Sequence, residues 1–200
     1  ALAIQTTTRH LMRATQGTAG DEMDPVLRQA FERSAEVVQA EGQRDRAHQG
    51  MGTTLTVAYA VAGHLTVAHV GDSRAYLIRG DQLRQLTRDH TVAQQMVEDG
   101  VLSAERAESS RFAHVVWNAI VANEEHSLEP EVAHVSLQED DTLLLCSDGL
   151  TKHVTDDEIA LWLSSATPLD QLSRVLVDLA NERGGTDNIT AVVARARKKK

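Results

Sequence analysis

Four short β-rich runs, joined by tight connections, constrain the fold of this chain more than any other feature. The runs cover residues 54–61, 65–70, 75–78 and 83–86. Gly63 lies in the first connection, Gly71 in the second and Gly80 in the third. Short glycine-containing connections between such runs are typical of hairpins. The pattern therefore predicts an antiparallel meander with hairpin turns.

Helical periodicity dominates the segments on either side of this meander. A first helix starts at residue 1 with no N-cap before it, and a second is predicted from Asp24 to Glu41, with Asp24 as cap and Pro25 at the first helical position. Further helices are predicted at 89–110, 156–163 and 169–182, and further strands at 132–137, 142–146 and 189–194. Because helices and strands come in blocks, the fold class is α+β, a layered β-sandwich of mainly antiparallel sheets flanked by helices.

The chain shows no internal repeat and no low-complexity linker, so we expect a single domain over residues 1–194 and a basic tail over 195–200. That tail is either a solvated end or a segment that precedes a membrane-proximal region. Membrane association is therefore expected only if the tail leads into a membrane segment, because no apolar run reaches the length of a membrane helix.

Charge and cysteine content narrow the possible partners and the compartment. The formal net charge of −9 argues against nucleic acid as the main partner. The single cysteine, Cys146, excludes an intrachain disulfide and suits a reducing cytoplasm. Cys146 ends an apolar strand without a neighbouring base, so we interpret it as a core residue and not a nucleophile.

Three aspartates, Asp72, Asp148 and Asp187, stand at strand boundaries in separate glycine-marked motifs. A carboxylate at the rim of a sheet is exposed enough to bind an ion and rigid enough to be aimed at it, and hard cations prefer such oxygen ligands. Gly149 permits a sharp chain exit after Asp148, and Asn188 is expected to orient Asp187 or its turn. For each aspartate alone the alternative is an ordinary turn residue that bonds nearby backbone N–H groups.

Four ordered motifs carry a resemblance to a known family. These are residues 50–54 (GMGTT), 71–74 (GDSR), 144–150 (LLCSDGL) and 184–190 (GGTDNIT), with residues 86–91 (LTRDHT) similar to the stretch before the family's flap. The chain resembles the metal-dependent type 2C protein Ser/Thr phosphatases, the PPM family, in its bacterial branch. The order and spacing agree from about residue 1 to 194.

The resemblance implies hydrolysis of phosphoserine and phosphothreonine in proteins by a water that Mn²⁺ or Mg²⁺ activates. It assigns Asp148 and Asp187 to the catalytic metal centre and Asp72 with Asp148 to an additional metal. Gly149, Asn188 and Ser73 are the supporting residues, and no catalytic group beyond the metal ligands is assigned. The implied partner is a phosphoprotein, such as a bacterial Ser/Thr kinase or its targets; the substrate-binding residues are not assigned.

The sequence departs from the family at its start. The family's opening Asp-Gly-x-Gly-Gly motif, whose aspartate bridges two metals, has no counterpart here, and residues 1–13 resemble the helix that follows it. We therefore expect the first strands to lie upstream of residue 1, and fewer metal ions than the family's two or three. The alternative function is a catalytically inactive binding or regulatory module that lacks the bridging carboxylate.

Overall fold

The computed structural model describes residues 1–14, 22–122 and 128–198, and these residues form seven α-helices and nine β-strands. In chain order they are α1 (Leu2–Ala14), α2 (Met23–Arg44), β1 (Gly52–Thr53), β2 (Leu55–Val61), β3 (His64–Val70), β4 (Arg74–Arg79), β5 (Gln82–Gln85), α3 (Val92–Glu98), α4 (Ala104–Glu108), β6 (Ile120–Val121), β7 (Glu131–Ser136), β8 (Thr142–Cys146), α5 (Asp148–Thr151), α6 (Asp156–Leu163), α7 (Leu169–Glu182) and β9 (Ala191–Arg195). The chain divides into two compact units, Ala1–Asp72 with Asp89–Val135, and Ser73–Arg88 with Ser136–Lys200.

The first unit contains a three-stranded sheet in the order β2-β3-β7 and a small antiparallel pair, β1 with β6. Strand β3 is buried along nearly its whole length, as expected for the central strand of a sheet. Helices α1 and α2 pack together, and a buried hydrogen bond of 2.7 Å joins Thr7 to Ser34 across them. Leu27 and Phe31 of α2 form one apolar cluster with Val70 of β3.

The second unit contains a four-stranded antiparallel sheet in the order β5-β4-β8-β9. Leu144 of β8 and the α7 residues Leu172 and Leu176 belong to the same fully buried cluster. A capping box starts α6, because Thr155 and Glu158 satisfy each other's free backbone N–H groups. Cys146 is buried at the end of β8, as its sequence context predicts.

The predicted hairpin between the second and third β-rich runs was wrong. Val70, at the end of β3, pairs with Leu55, whereas Arg74, at the start of β4, pairs with Cys146. The turn at residues 71–73 therefore connects two different sheets. Both strands are almost continuously buried, and such strands are stabilised by two neighbours that can come from anywhere in the chain.

Other element boundaries also differ from the sequence-based expectations. The helix predicted at 89–110 consists of two short helices, α3 and α4. Asp24 lies inside the first turn of α2, which begins at Met23, so it is not the cap, although an acidic side chain in this turn suits the helix dipole. Arg195, assigned to the tail, is the last residue of β9 and donates to the Thr142 hydroxyl at 2.9 Å. Lys199 and Lys200 lie outside the described residues.

In the described part of the chain, no helix is both long and apolar enough to cross a membrane.

Candidate metal centre

Asp148 and Asp187 leave the same end of the antiparallel pair formed by β8 and β9. Cys146, the last residue of β8, pairs with Ala191, the first residue of β9. Asp148 follows Cys146 by two positions and opens α5, while Asp187 precedes Ala191 by four. The pairing of the two strands therefore brings together two motifs that are far apart in the sequence.

Ser147 fastens these two motifs to each other. Its backbone N–H donates to the Thr190 carbonyl at 3.1 Å, and its hydroxyl accepts from the Thr190 N–H at 3.0 Å. The same hydroxyl donates to the Asn188 carbonyl at 3.1 Å. The segments that carry the two aspartates are thus held by hydrogen bonds beyond the end of the sheet.

Gly149 allows the two segments to approach this closely. A Cβ atom at position 149 would meet the Asn188 carbonyl oxygen at 2.5 Å, which is far closer than a normal contact. The backbone N–H of Asn188 donates to Asp187 Oδ1 at 2.8 Å and so orients that carboxylate. Gly149 and Asn188, which were predicted as supporting residues, thus both lie where the two aspartate-bearing segments meet.

A lysine joins the two carboxylates. Lys152 Nζ lies 2.6 Å from Asp148 Oδ2 and 2.9 Å from Asp187 Oδ2. Burial lowers the pKa of Lys152, but the hydrogen bonds and charges of the two aspartates outweigh it and raise this pKa above its ordinary value. The ammonium group is therefore a cation held at the point where the two carboxylate oxygens converge.

Asp72 belongs to the first unit and directly follows Gly71 at the end of β3. Gly71 has a φ of +111°, and a Cβ atom there would lie 2.3 Å from a methyl carbon of Thr54. Only glycine satisfies both conditions. The turn that presents Asp72 thus depends on a residue without a side chain.

Two buried histidines hold both polar backbone atoms of Gly71. The Gly71 carbonyl accepts from the backbone N–H of His90 at 2.7 Å and from the ring Nε2 of His69 at 3.0 Å, and the Gly71 N–H donates to the ring Nδ1 of His90 at 3.2 Å. Both side chains are 1% exposed. The two rings also lie against each other, with centroids 4.9 Å apart.

The hydrogen bonds fix the tautomer of His90. Asn118 is oriented by Glu129, whose carbonyl accepts from Asn118 Nδ2 at 2.8 Å and whose N–H donates to Asn118 Oδ1 at 3.3 Å. Asn118 Nδ2 therefore donates to His90 Nδ1, at 3.1 Å. Because Nδ1 accepts from two donors, the ring hydrogen sits on Nε2, which faces Glu131 at 3.3 Å.

The sequence interpretation missed two residues beside the predicted ligands. A ring nitrogen of His114 lies within 4.8 Å of an Asp72 carboxylate oxygen. No sequence pattern links residues 72 and 114. Lys152 was also missed, and here a signal existed, because residues four apart on a helical turn lie on the same face. Ser73, predicted to support the site, is a partly buried residue between β3 and β4.

The sequence matches the profile of the family described as Protein phosphatase 2C over residues 3–96 and 113–189. Protein phosphatase PhpP of Streptococcus pneumoniae serotype 2 (strain D39 / NCTC 7466) is 39% identical over 150 residues, which are 75% of this chain and 60% of that protein. The chain thus spans less than two thirds of the length of this relative.

Solved structures have the same fold. A crystal structure of the Mycobacterium tuberculosis serine/threonine phosphatase PstP/Ppp superposes with a TM-score of 0.87 at 31% identity, covering 98% of this chain and 82% of the other. A PstP catalytic domain in complex with two manganese ions superposes with a TM-score of 0.82 at 30% identity, covering 98% and 81%. The predicted α+β class with mainly antiparallel sheets flanked by helices is confirmed.

Proposed function

Because the chain belongs to the protein phosphatase 2C family, we propose that it forms most of a protein Ser/Thr phosphatase domain that hydrolyses phosphoserine and phosphothreonine in proteins. The observation that carries this proposal is the convergence of Asp148 and Asp187 at the end of the β8–β9 pair. Two carboxylates that meet at one point, on supports fastened to each other, are what a divalent cation requires of a protein.

The residues present fit such a cation. The donor atoms are hard carboxylate oxygens, which suit Mg²⁺ and Mn²⁺. A positive group, the ammonium of Lys152, already bonds to both of them, so the local field favours a cation at this point. Asp148 and Asp187 would hold the catalytic metal. When bound, the metal supplies a water-derived nucleophile at neutral pH and offsets the charge of the phosphoryl group.

The remaining residues act by holding these ligands. Gly149 and Asn188 keep the two aspartate-bearing segments in close contact, Gly149 because it has no side chain and Asn188 because its carbonyl accepts from the Ser147 hydroxyl. Ser73 follows Asp72 in the turn after β3. We propose Asp72, together with Asp148, for an additional metal, as the family resemblance implies. The identity of the ion, Mn²⁺ or Mg²⁺, is also part of this proposal. The PstP catalytic domain in complex with two manganese ions supports the choice of Mn²⁺ as the first ion to test.

The substrate class follows from the family. PhpP is a protein phosphatase and PstP a serine/threonine phosphatase, which supports a phosphoprotein substrate for this domain. A bacterial Ser/Thr kinase or its targets in the cytoplasm are the proposed physiological partners. No contact among the described residues favours the alternative of a catalytically inactive binding module.

The test is phosphate release from a phosphothreonine peptide in the presence of Mn²⁺ by the protein with the family's opening Asp-Gly-x-Gly-Gly segment restored ahead of residue 1, with a chelator as the metal-free control. We expect turnover that requires the metal and that falls by about 100-fold or more in Asp148→Asn and in Asp187→Asn, since each change removes a charged ligand. Asp81→Asn, an exposed aspartate in the β4–β5 turn, is the matched control and should leave turnover unchanged. Metal-dependent turnover that survives both ligand substitutions would contradict the assignment, and its absence in the unsubstituted protein would favour the inactive module.

A further inference from the structure

Lys152 is fixed to the same short helix as one of the two proposed metal ligands. Its backbone N–H donates to the Asp148 carbonyl at 2.9 Å, which continues α5 by one residue. The side chains of residues 148 and 152 therefore project from the same face of the turn. From this face the ammonium group of Lys152 reaches Asp148 Oδ2 at 2.6 Å.

The ammonium group contacts both carboxylates from a partly buried position. The Lys152 side chain is 22% exposed and Asp148 28%, while Asp187 is 44% exposed. One ammonium group bonds to two aspartates that come from different motifs. An isolated surface pair contributes little to stability, so a lysine that only stabilises the fold would not need this arrangement.

A divalent ion and the ammonium group cannot share these oxygens. Each carboxylate oxygen that bonds to Nζ would be within coordination distance of a metal at the same point, and two cations so close repel each other strongly. The metal therefore has to displace the Lys152 side chain, which is long and flexible and can withdraw to solvent.

We propose that Lys152 is an internal counter-ion that competes with the catalytic metal for Asp148 and Asp187. This proposal rests on the proposed function, in which these two aspartates are metal ligands. Without metal, the ammonium group keeps the two carboxylates from repelling each other and holds the site in its assembled form. With metal, the same group must leave, so its presence weakens metal binding.

Two effects of opposite sign follow from the removal of the ammonium charge. Lys152→Met keeps a flexible side chain but removes the charge, so the metal no longer competes with it. We expect Mn²⁺ to bind about tenfold more tightly or better, because removal of a unit charge at contact distance is worth at least this much even in a well-solvated site. In the absence of metal the same variant should be less stable than the parent protein, because two carboxylates then face each other without a counter-ion.

The experiment is a Mn²⁺ titration followed by the electron paramagnetic resonance signal of free Mn²⁺, together with thermal unfolding with and without Mn²⁺. Lys152→Gln is a second uncharged variant in case the methionine variant folds poorly. Lys152→Arg retains the charge. Lys198→Met removes a lysine that pairs with Glu139 at 2.9 Å, and it controls for the general loss of one positive charge. We expect tighter Mn²⁺ binding, lower metal-free stability and a larger Mn²⁺-induced rise in Tm only for the two uncharged variants at position 152.

The outcomes separate this inference from the proposed function. Lys152 is not a competing counter-ion if Mn²⁺ binds to Lys152→Met and Lys152→Gln no more tightly than to the parent protein. The same conclusion holds if Mn²⁺ binds to neither variant. If Asp148→Asn then still abolishes Mn²⁺ binding by the parent protein, the ligand assignment stands without it. If adding Asp148→Asn to Lys152→Met leaves Mn²⁺ binding unchanged, the ligand assignment itself fails, and the counter-ion proposal fails with it.

Discussion

His90 offers a test of how the turn before Asp72 is held. Its Nδ1 atom accepts from the Gly71 N–H and from Asn118 Nδ2, and the residue is 1% exposed. His90→Leu fills a similar volume with an apolar side chain and removes the Nδ1 acceptor. His90→Asn places an amide oxygen at the position of Nδ1 and can accept from the same two donors. The two substitutions thus separate the loss of the acceptor from the loss of the ring.

The magnitude follows from the number of buried donors left without a partner. Each unsatisfied N–H group costs about 1–3 kcal/mol, and His90→Leu leaves two of them. We expect His90→Leu to lower the free energy of unfolding by about 2–6 kcal/mol, and His90→Asn by about 1 kcal/mol. Glu131, which faces Nε2, is 44% exposed, so Glu131→Gln should cost less than about 0.5 kcal/mol.

Urea denaturation measures these differences, and hydrogen exchange at the Gly71 amide reports on the bond itself. The Gly71 amide should exchange faster in His90→Leu than in the parent protein and should stay protected in His90→Asn. If His90→Asn is as destabilised as His90→Leu, and its Gly71 amide is equally unprotected, then acceptance of hydrogen bonds by His90 Nδ1 is not what holds the turn.

Three further changes test the second unit. Gly149→Ala should destabilise the protein by about 1–3 kcal/mol in urea denaturation, because the new Cβ would lie 2.5 Å from the Asn188 carbonyl oxygen. A stabilised variant would show that the two aspartate-bearing segments can separate at little cost. Arg183 lowers the pKa of Glu158 from 4.5 to about 2, so the stability that this carboxylate contributes is present above pH 4.5 and is lost as the pH falls toward 2. Glu158→Gln should therefore be less stable than the parent protein at neutral pH, and the gap should close in acid; a gap independent of pH would contradict this. Leu176→Ala should cost about 2–5 kcal/mol, since Leu176 is fully buried in the core of this unit, and a cost below about 1 kcal/mol would mean that the core collapses around the cavity.

The elements could be predicted from the sequence where the signal is local. The β-rich runs at 54–61 and 65–70 correspond to β2 and β3, and the run at 142–146 is β8 with the same bounds. The helices at 156–163 and 169–182 also have the predicted bounds. In these segments the side-chain periodicity agrees with the burial of the element, so a short stretch of sequence is enough to identify it.

Which strands pair with each other could not be predicted in the same way. The turn at residues 71–73 has the composition of a hairpin turn, yet β3 and β4 belong to different sheets. A strand that is buried along nearly its whole length has no solvent-exposed face that would indicate which strand lies beside it. The pairing of β4 with β8, which are far apart in the chain, depends on contacts that no local window contains.

For the candidate site, too, the local features could be predicted from the sequence and the contacts between distant segments could not. By itself, the sequence determined that Asp72, Asp148 and Asp187 stand near strand ends in glycine-containing motifs, because turn chemistry and strand periodicity are properties of neighbouring residues. Only the tertiary structure brought Asp148 and Asp187 onto one ammonium group and enclosed Gly71 between two histidines. These contacts join segments that are distant in the chain, and the strand pairing and burial that create them arise only when the sheets are assembled.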